Sequence, residues 1–153
     1  LPISFDEDTS LLAAETKLAQ NAKKIALMTL GTAAQKYMMA LSEQQEVLVN
    51  CADIIMDAYQ METAILRAKK YAEKNGEEAA GRYIDMASVF CNDAIQRIDA
   101  KAKNTIAAIA EGDEGRTLLV ALKRFTKNNS PVNTIAARQR IADTMIQANT
   151  YVY

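Results

Sequence analysis

The pattern in this chain that comes closest to a catalytic or metal-binding site is a pair of carboxylates one helical turn apart. Asp53 and Asp57 are four positions apart, so on a helix they face one side and could share a proton or a divalent ion. The chain contains no histidine, which removes the commonest general base and the commonest metal ligand. No third ligand lies nearby in the sequence. We therefore expect a solvated pair, or ion pairs with Arg or Lys of a neighbouring helix, and assign no catalytic, cofactor-binding or metal-binding residue.

The glycine and cysteine patterns also indicate structure rather than catalysis. The segment 112–116, GDEGR, lacks the GK[ST] ending of a phosphate-binding loop and follows a helix, so it reads as a turn. Cys51 and Cys91 are the only thiols. In a hairpin that turns at Asn75–Gly76 they would be offset by about 13 Å along the helix axes, too far for a disulfide. We expect both to be buried and reduced, as in a cytoplasmic protein.

Composition predicts a single all-α domain. Half of the 153 residues are apolar and 27 are alanine, but only five are glycine and two are proline. This balance favours long helices over a turn-rich β fold. No apolar run reaches the roughly 20 residues that a membrane-spanning helix needs. The first residue is Leu1 rather than Met, and we expect the chain to be the C-terminal fragment of a longer one.

Start and stop signals divide the chain into five helical segments. Ser42 with Gln45 resembles a capping box at the start of the second helix, and Asn75–Gly76 resembles a helix stop. Pro131 breaks the last part of the chain, with either Ser130 or Asn133 capping the helix that follows. We predict an up-down four-helix-type bundle with a Pro-broken fourth helix. The predicted helices are about 6–40, 43–74, 77–110, 114–127 and 134–149.

The second helix is apolar on nearly every side between Val47 and Met61. A helix with apolar residues all round needs neighbours on several flanks. We therefore predict that it is the most buried helix of the bundle.

Charge is distributed unevenly along the chain, although the net charge is only −1. Residues 116–153 hold six basic side chains and one acidic one, and the remainder is acidic. Such a basic end could meet an acidic surface of the parent chain, the anionic groups of coenzyme A or a charged membrane, or neutralise the bundle within the domain. Nucleic acid is not expected, because no aromatic platform is interleaved. The candidate interdomain or partner contacts are Arg116, Lys123, Arg124, Arg138 and Arg140.

Two stretches carry a family resemblance. The first, ALKRFTKNNSPVNTIAARQRIAD, ends at Asp143, and the second, LVNCADIIMDAYQMETAILRA, spans Leu48–Ala68. Together they resemble the extra C-terminal helical domain of the very-long-chain-type acyl-CoA dehydrogenases. The resemblance implies a parent enzyme that uses FAD to oxidise the α,β bond of an acyl-CoA and passes the electrons to a flavoprotein.

The same resemblance implies an architectural role for this segment. The catalytic carboxylate and most flavin contacts of the family lie upstream, so no activity and no cofactor are expected here. The implied partners are the upstream catalytic domain of the same chain and further copies in a homo-oligomer. The family's membrane association is linked to a basic segment near the start of this domain, whereas residues 1–20 are acidic here, so membrane contact is not expected. The alternative hypothesis is a stand-alone helical protein-interaction module.

Overall fold

The computed structural model describes residues 9–129 and 131–153. Within them the chain forms five α-helices and one short 3-10 helix, and no strand. The all-α prediction is confirmed. The helices are α1 (Ala13–Tyr37), α2 (Gln45–Asn75), α3 (Gly81–Ile109), α4 (Gly112–Phe125) and α5 (Thr134–Ala148), with the 3-10 helix Met38–Glu43 between α1 and α2.

Contacts between side chains of different helices show in which direction each helix runs. Lys23 of α1 pairs with Glu62 of α2, and Lys69 lies 3.4 Å from the Thr16 hydroxyl, so α1 and α2 run antiparallel. The α2–α3 hairpin is antiparallel as well. The fourth and fifth helices both run back along α3, with α4 packed on α1 and α3 and α5 packed on α3. The directions of α1 to α4 therefore alternate along the chain, and α5 runs in the same direction as α4.

The link between α1 and α2 differs from the prediction. The first helix ends at Tyr37 rather than 40, because Met38 has a positive φ of 48° that no α-helix contains. Ser42 lies inside the 3-10 helix, and α2 begins at Gln45 without a side-chain cap. The predicted start at 43 and the capping box are therefore wrong. The side-chain amide of Gln45 instead donates to the Ser42 carbonyl oxygen at 2.6 Å.

Other helix boundaries also differ from the predicted ones. The first helix begins at Ala13, after a left-handed Leu12, rather than at 6; the acidic start signal 6–8 lies outside the described residues. The third begins at Gly81 rather than 77, because 77–80 form a turn after Gly76, whose φ of 88° confirms the predicted stop. The fourth spans 112–125 instead of 114–127, and the fifth ends at 148 instead of 149.

The start of the fifth helix agrees with one of the two predicted capping residues. The Asn133 side-chain oxygen accepts a hydrogen bond from the Ala136 amide at 3.0 Å, so Asn133 is the N-cap. The other candidate, Ser130, lies outside the described residues.

Burial shows that α3, rather than α2, is the central helix. It buries eleven of its 29 residues, whereas α2 buries nine of 31. The reason is that α3 packs against α1, α2, α4 and α5, whereas α2 packs on α1, α3 and the 3-10 helix. The prediction that the second helix is the most buried is therefore wrong. The largest fully buried apolar side chains are Ile25, Ile54, Met61, Ile98, Ile106 and Leu122.

Both cysteines are buried and free, as the sequence predicts. Burial raises the pKa of the Cys91 thiol to about 12, and the negative charge of Glu15 adds to the shift. Burial also raises the pKa of Cys51, against a hydrogen bond with Thr29 that lowers it. Both thiols are therefore neutral near pH 7 and act as small apolar core residues.

Candidate interaction surface

The carboxylate of Asp57 is held in the seam between α2 and α3. Its two oxygens accept from Arg97, at 2.7 Å from Nη2 and 3.2 Å from Nε. The Arg97 guanidinium also lies over the Phe90 ring, 5.4 Å from its centroid. The hydrogen bond with Asp57 raises the pKa of Arg97, and the negative charges of Asp57 and Asp93 add to it, while desolvation acts in the opposite direction. This two-point contact orients α3 against α2.

One turn earlier on α2, Asp53 accepts from the Lys101 ammonium at 2.6 Å. The two carboxylates therefore form ion pairs with basic residues of the neighbouring helix, as one of the two sequence alternatives predicts. Within residues 9–129 and 131–153, no cluster of three or more His, Cys, Asp or Glu side chains could hold a metal ion. The pair stabilises the helix interface.

The basic residues of α5 are directed at α3. Arg140 donates to both oxygens of Asp85, at 2.8 and 2.7 Å, and this hydrogen bonding raises the pKa of Arg140. Arg138 pairs with Asp93, about two turns further along α3. These contacts run in opposite directions along the two helices, so α5 is antiparallel to α3. Charge neutralisation within the domain accounts for these two arginines.

The basic residues of α4 are placed differently. Arg116 pairs with Asp113 on the same helix, and both side chains are exposed. Lys123 and Arg124 are exposed, with no ion pair to any residue in the described ranges. Val120, one turn before Arg124, is 71 % exposed. The five predicted contact residues are thus not one surface, because two face α3 and three lie along the outside of α4.

An aromatic groove was not anticipated from the sequence. It encloses about 530 Å³ between α2, α3 and the C-terminal segment. The Tyr83 ring lies 4.5 Å from Tyr71 and 6.4 Å from Tyr153, centroid to centroid. The Tyr153 hydroxyl donates to the Ile141 carbonyl at 2.8 Å, which fixes the segment after α5 over α3. The only sequence signal was the aromatic pair in the closing letters YVY.

The four-helix part of this fold corresponds to a known family. Residues 21–124, more than half of the chain, match the family described as "Acyl-CoA dehydrogenase, C-terminal domain". The chain belongs to the acyl-CoA dehydrogenase family. The matched residues run from the first half of α1 to the last turn of α4.

Two acyl-CoA dehydrogenases match nearly the whole of this chain. The chain is 38 % identical over 143 residues to a "Probable acyl-CoA dehydrogenase" of Bacillus subtilis (strain 168). It is 40 % identical, with a TM-score of 0.90, to the acyl-CoA dehydrogenase of Bacillus anthracis, whose crystal structure is described as complexed with FAD. Each match covers 94 % of this chain and 24 % of the relative. The chain thus spans about a quarter of the length of these relatives.

The family assignment confirms the resemblance at the level of an acyl-CoA dehydrogenase C-terminal domain. It also shows that the alternative, in which the family match is coincidental, is wrong. Across the described part of the chain, no helix is long and apolar enough to cross a membrane.

Proposed function

We propose that this chain is the non-catalytic C-terminal domain of an FAD-dependent acyl-CoA dehydrogenase of the very-long-chain type. The parent protein oxidises the α,β bond of a fatty acyl-CoA, and this domain packs against its catalytic part. The observation that carries the proposal is the superposition of 94 % of the chain on 24 % of an FAD-complexed relative, with a TM-score of 0.90. The segment therefore has the size and fold of one domain of a much longer flavoprotein.

The ion pairs of the bundle support a structural role. Five acidic side chains form ion pairs between helices, and these contacts stabilise the bundle. The pairs that join two helices are Asp57–Arg97, Asp53–Lys101, Asp85–Arg140, Asp93–Arg138 and Glu62–Lys23.

The residues described here do not fit an FAD site. A flavin dinucleotide needs backbone amides or basic side chains that converge on its pyrophosphate. Arg138 and Arg140 instead face α3, while Lys123 and Arg124 lie on an open helix face. We therefore place FAD and the acyl-CoA in the upstream part of the parent chain.

The proposed partners follow from this role. They are the upstream catalytic domain and, in a homo-oligomer, a second parent chain. The buried free cysteines support a cytoplasmic location. Among the basic candidates, Lys123 and Arg124 are favoured as interdomain or partner contacts because they are exposed on α4, whereas Arg138 and Arg140 are held by α3 and Arg116 by its own helix.

The full-length parent protein tests the proposed function. We expect it to purify with bound flavin and to lose its visible flavin absorbance when an acyl-CoA is added without oxygen. A long-chain acyl-CoA should be more effective than a short one if the very-long-chain subtype is right. Bound flavin that no acyl-CoA reduces would contradict the proposed activity.

Charge reversal tests the contacts proposed for α4. In the full-length protein, Lys123→Glu and Arg124→Glu should each speed backbone hydrogen exchange in α4 by about two- to fivefold. That range corresponds to the 0.5–1 kcal/mol typical of an exposed charge pair. Lys17→Glu, at another exposed lysine, is the control. Equal effects of all three substitutions would show that Lys123 and Arg124 contact no other domain.

A further inference from the structure

The outward face of α2 carries a continuous row of uncharged side chains. Its members recur every three or four residues, so they share one face over about 26 Å of helix. Val49, Met56, Tyr59 and Leu66 are between 51 % and 68 % exposed. We refer to this set as the apolar row: Val49, Ala52, Met56, Tyr59, Thr63 and Leu66.

The outward faces of the neighbouring helices have the ordinary composition of a solvated surface. On α1 the exposed positions include Lys17, Gln20 and Lys24 together with one large apolar side chain, Leu27, and on α3 they include Lys103 and Asn104. Single exposed apolar residues are normal, but a row of several turns on one helix indicates a covered face. The apolar row is therefore the exception in this bundle.

The α2 sequence requires more neighbours than the bundle provides. Its apolar residues on nearly every side call for contacts on several flanks. The structure supplies α1 and α3 on two flanks and leaves the third open. Two of the charged residues that border the open flank are neutralised, since Asp53 pairs with Lys101 and Glu62 with Lys23. Arg67, exposed at the Leu66 end, lies over the Tyr83 ring. A partner surface that fits along most of this flank is apolar.

We propose that the apolar row is the docking face for the upstream catalytic part of the same chain. This inference rests on the proposed function, in which that part exists. Relatives carry this segment as 24 % of their length, so about three quarters of such a protein is available to cover it. A surface on the same chain is present at an effective concentration near the millimolar range. Binding of the apolar row to that surface is therefore favoured over binding to a second copy of the protein at micromolar concentration.

The point at which the chain enters the bundle is consistent with this occupant. Ser10 and Leu11 line one surface cleft together with Lys69 and Ala72 of α2. Residues 10 and 11 therefore lie beside α2 at the end of the helix that follows Leu66. Ala52 is the smallest side chain of the row, between Val49 and Met56, and leaves a notch into which a large side chain of the docked surface can insert.

Thiol labelling of the full-length protein tests the docking. Met56→Cys places a thiol in the apolar row, and Ile146→Cys places one on α5, where the native residue is 73 % exposed. Maleimide modification of each site is followed by peptide mass spectrometry. Cys51 and Cys91 are buried and do not compete. We expect the Met56→Cys thiol to react at least about tenfold more slowly than the Ile146→Cys thiol, because thiol reactivity follows exposure. Tyr59→Cys should show the same protection.

Each outcome decides the proposal. Protection that is unchanged by a hundredfold dilution supports docking within one chain. Protection that disappears on dilution would show that the apolar row is covered by a second copy of the protein. Equal labelling of the two sites would show that the row is exposed to solvent. Either result overturns the proposal. The same preparation reports separately on the proposed function. Flavin that responds to acyl-CoA, combined with equal labelling, contradicts the docking alone, whereas a preparation without flavin contradicts the proposed function.

Discussion

Replacing Ile98 with alanine should lower the free energy of unfolding of this chain by about 2–5 kcal/mol. Ile98 is fully buried at the middle of α3, the helix that packs against all four of the others. Removing its outer carbons leaves a cavity whose walls belong to several helices and cannot all collapse together. Urea denaturation followed by circular dichroism measures the effect.

The matched control for this core substitution is Leu27→Ala. Leu27 lies on α1 and is 75 % exposed, so its replacement should change the free energy of unfolding by no more than about 0.5 kcal/mol. Equal losses for the two variants would show that Ile98 is not at the centre of the core.

Asp57→Ala should cost about 1–2 kcal/mol of folding free energy. The carboxylate is only 12 % exposed and accepts two hydrogen bonds from Arg97. Charge-assisted hydrogen bonds contribute about 1.5–3 kcal/mol, but the Arg97 side chain is 45 % exposed and recovers part of its hydration when released. The expected loss therefore lies at or below the lower end of that range, and urea denaturation measures it.

Asp53→Ala is the control for the second prediction. Its pair with Lys101 has one contact and is about one-third exposed on both sides, so its removal should cost less than about 1 kcal/mol. Combining Asp57→Ala with Arg97→Ala should cost less than the sum of the single substitutions, because the two residues are coupled. Strict additivity would mean that the Asp57–Arg97 contact contributes nothing in solution.

Much of the helix pattern could be predicted from local chemistry. Pro131 cannot continue a helix, Gly76 tolerates a positive φ and Asn133 has a side chain that accepts from a free amide. Gly76 and Asn133 identified the end of α2 and the start of α5 because such signals act within a few residues, whereas α4 ends at Phe125, before the predicted 127. The link after α1 could not be predicted in this way. Leu41 packs against a small core that includes Ala33, so a tertiary contact stabilises the 3-10 helix where the sequence resembles a cap.

The five predicted contact residues show that the number of charges in a segment does not reveal which way each side chain faces. The excess of basic residues after position 115 is visible in the sequence, but the direction each one faces depends on how α5 lies on α3. That geometry pairs Arg138 with Asp93 and Arg140 with Asp85, and leaves Lys123 and Arg124 outside. The Tyr83–Tyr153 contact joins residues 70 positions apart, so no local pattern could predict it.

The error about α2 is informative for function. Its composition is that of a helix with neighbours on several flanks, yet in this chain its third flank carries the open apolar row. This difference between an apolar composition and an exposed face is the observation from which we propose that another part of the parent chain docks there. This is consistent with a segment that spans about a quarter of its relatives.

The flavin content of two purified proteins tests the central claim most directly. One is the chain of residues 1–153 alone, and the other is the full-length parent. We expect the isolated chain to be helical by circular dichroism, colourless and inactive towards acyl-CoA, and the parent to carry stoichiometric FAD that an acyl-CoA reduces. FAD bound to the isolated chain, or a folded parent without FAD, would contradict the assignment of this segment as a non-catalytic domain of an acyl-CoA dehydrogenase.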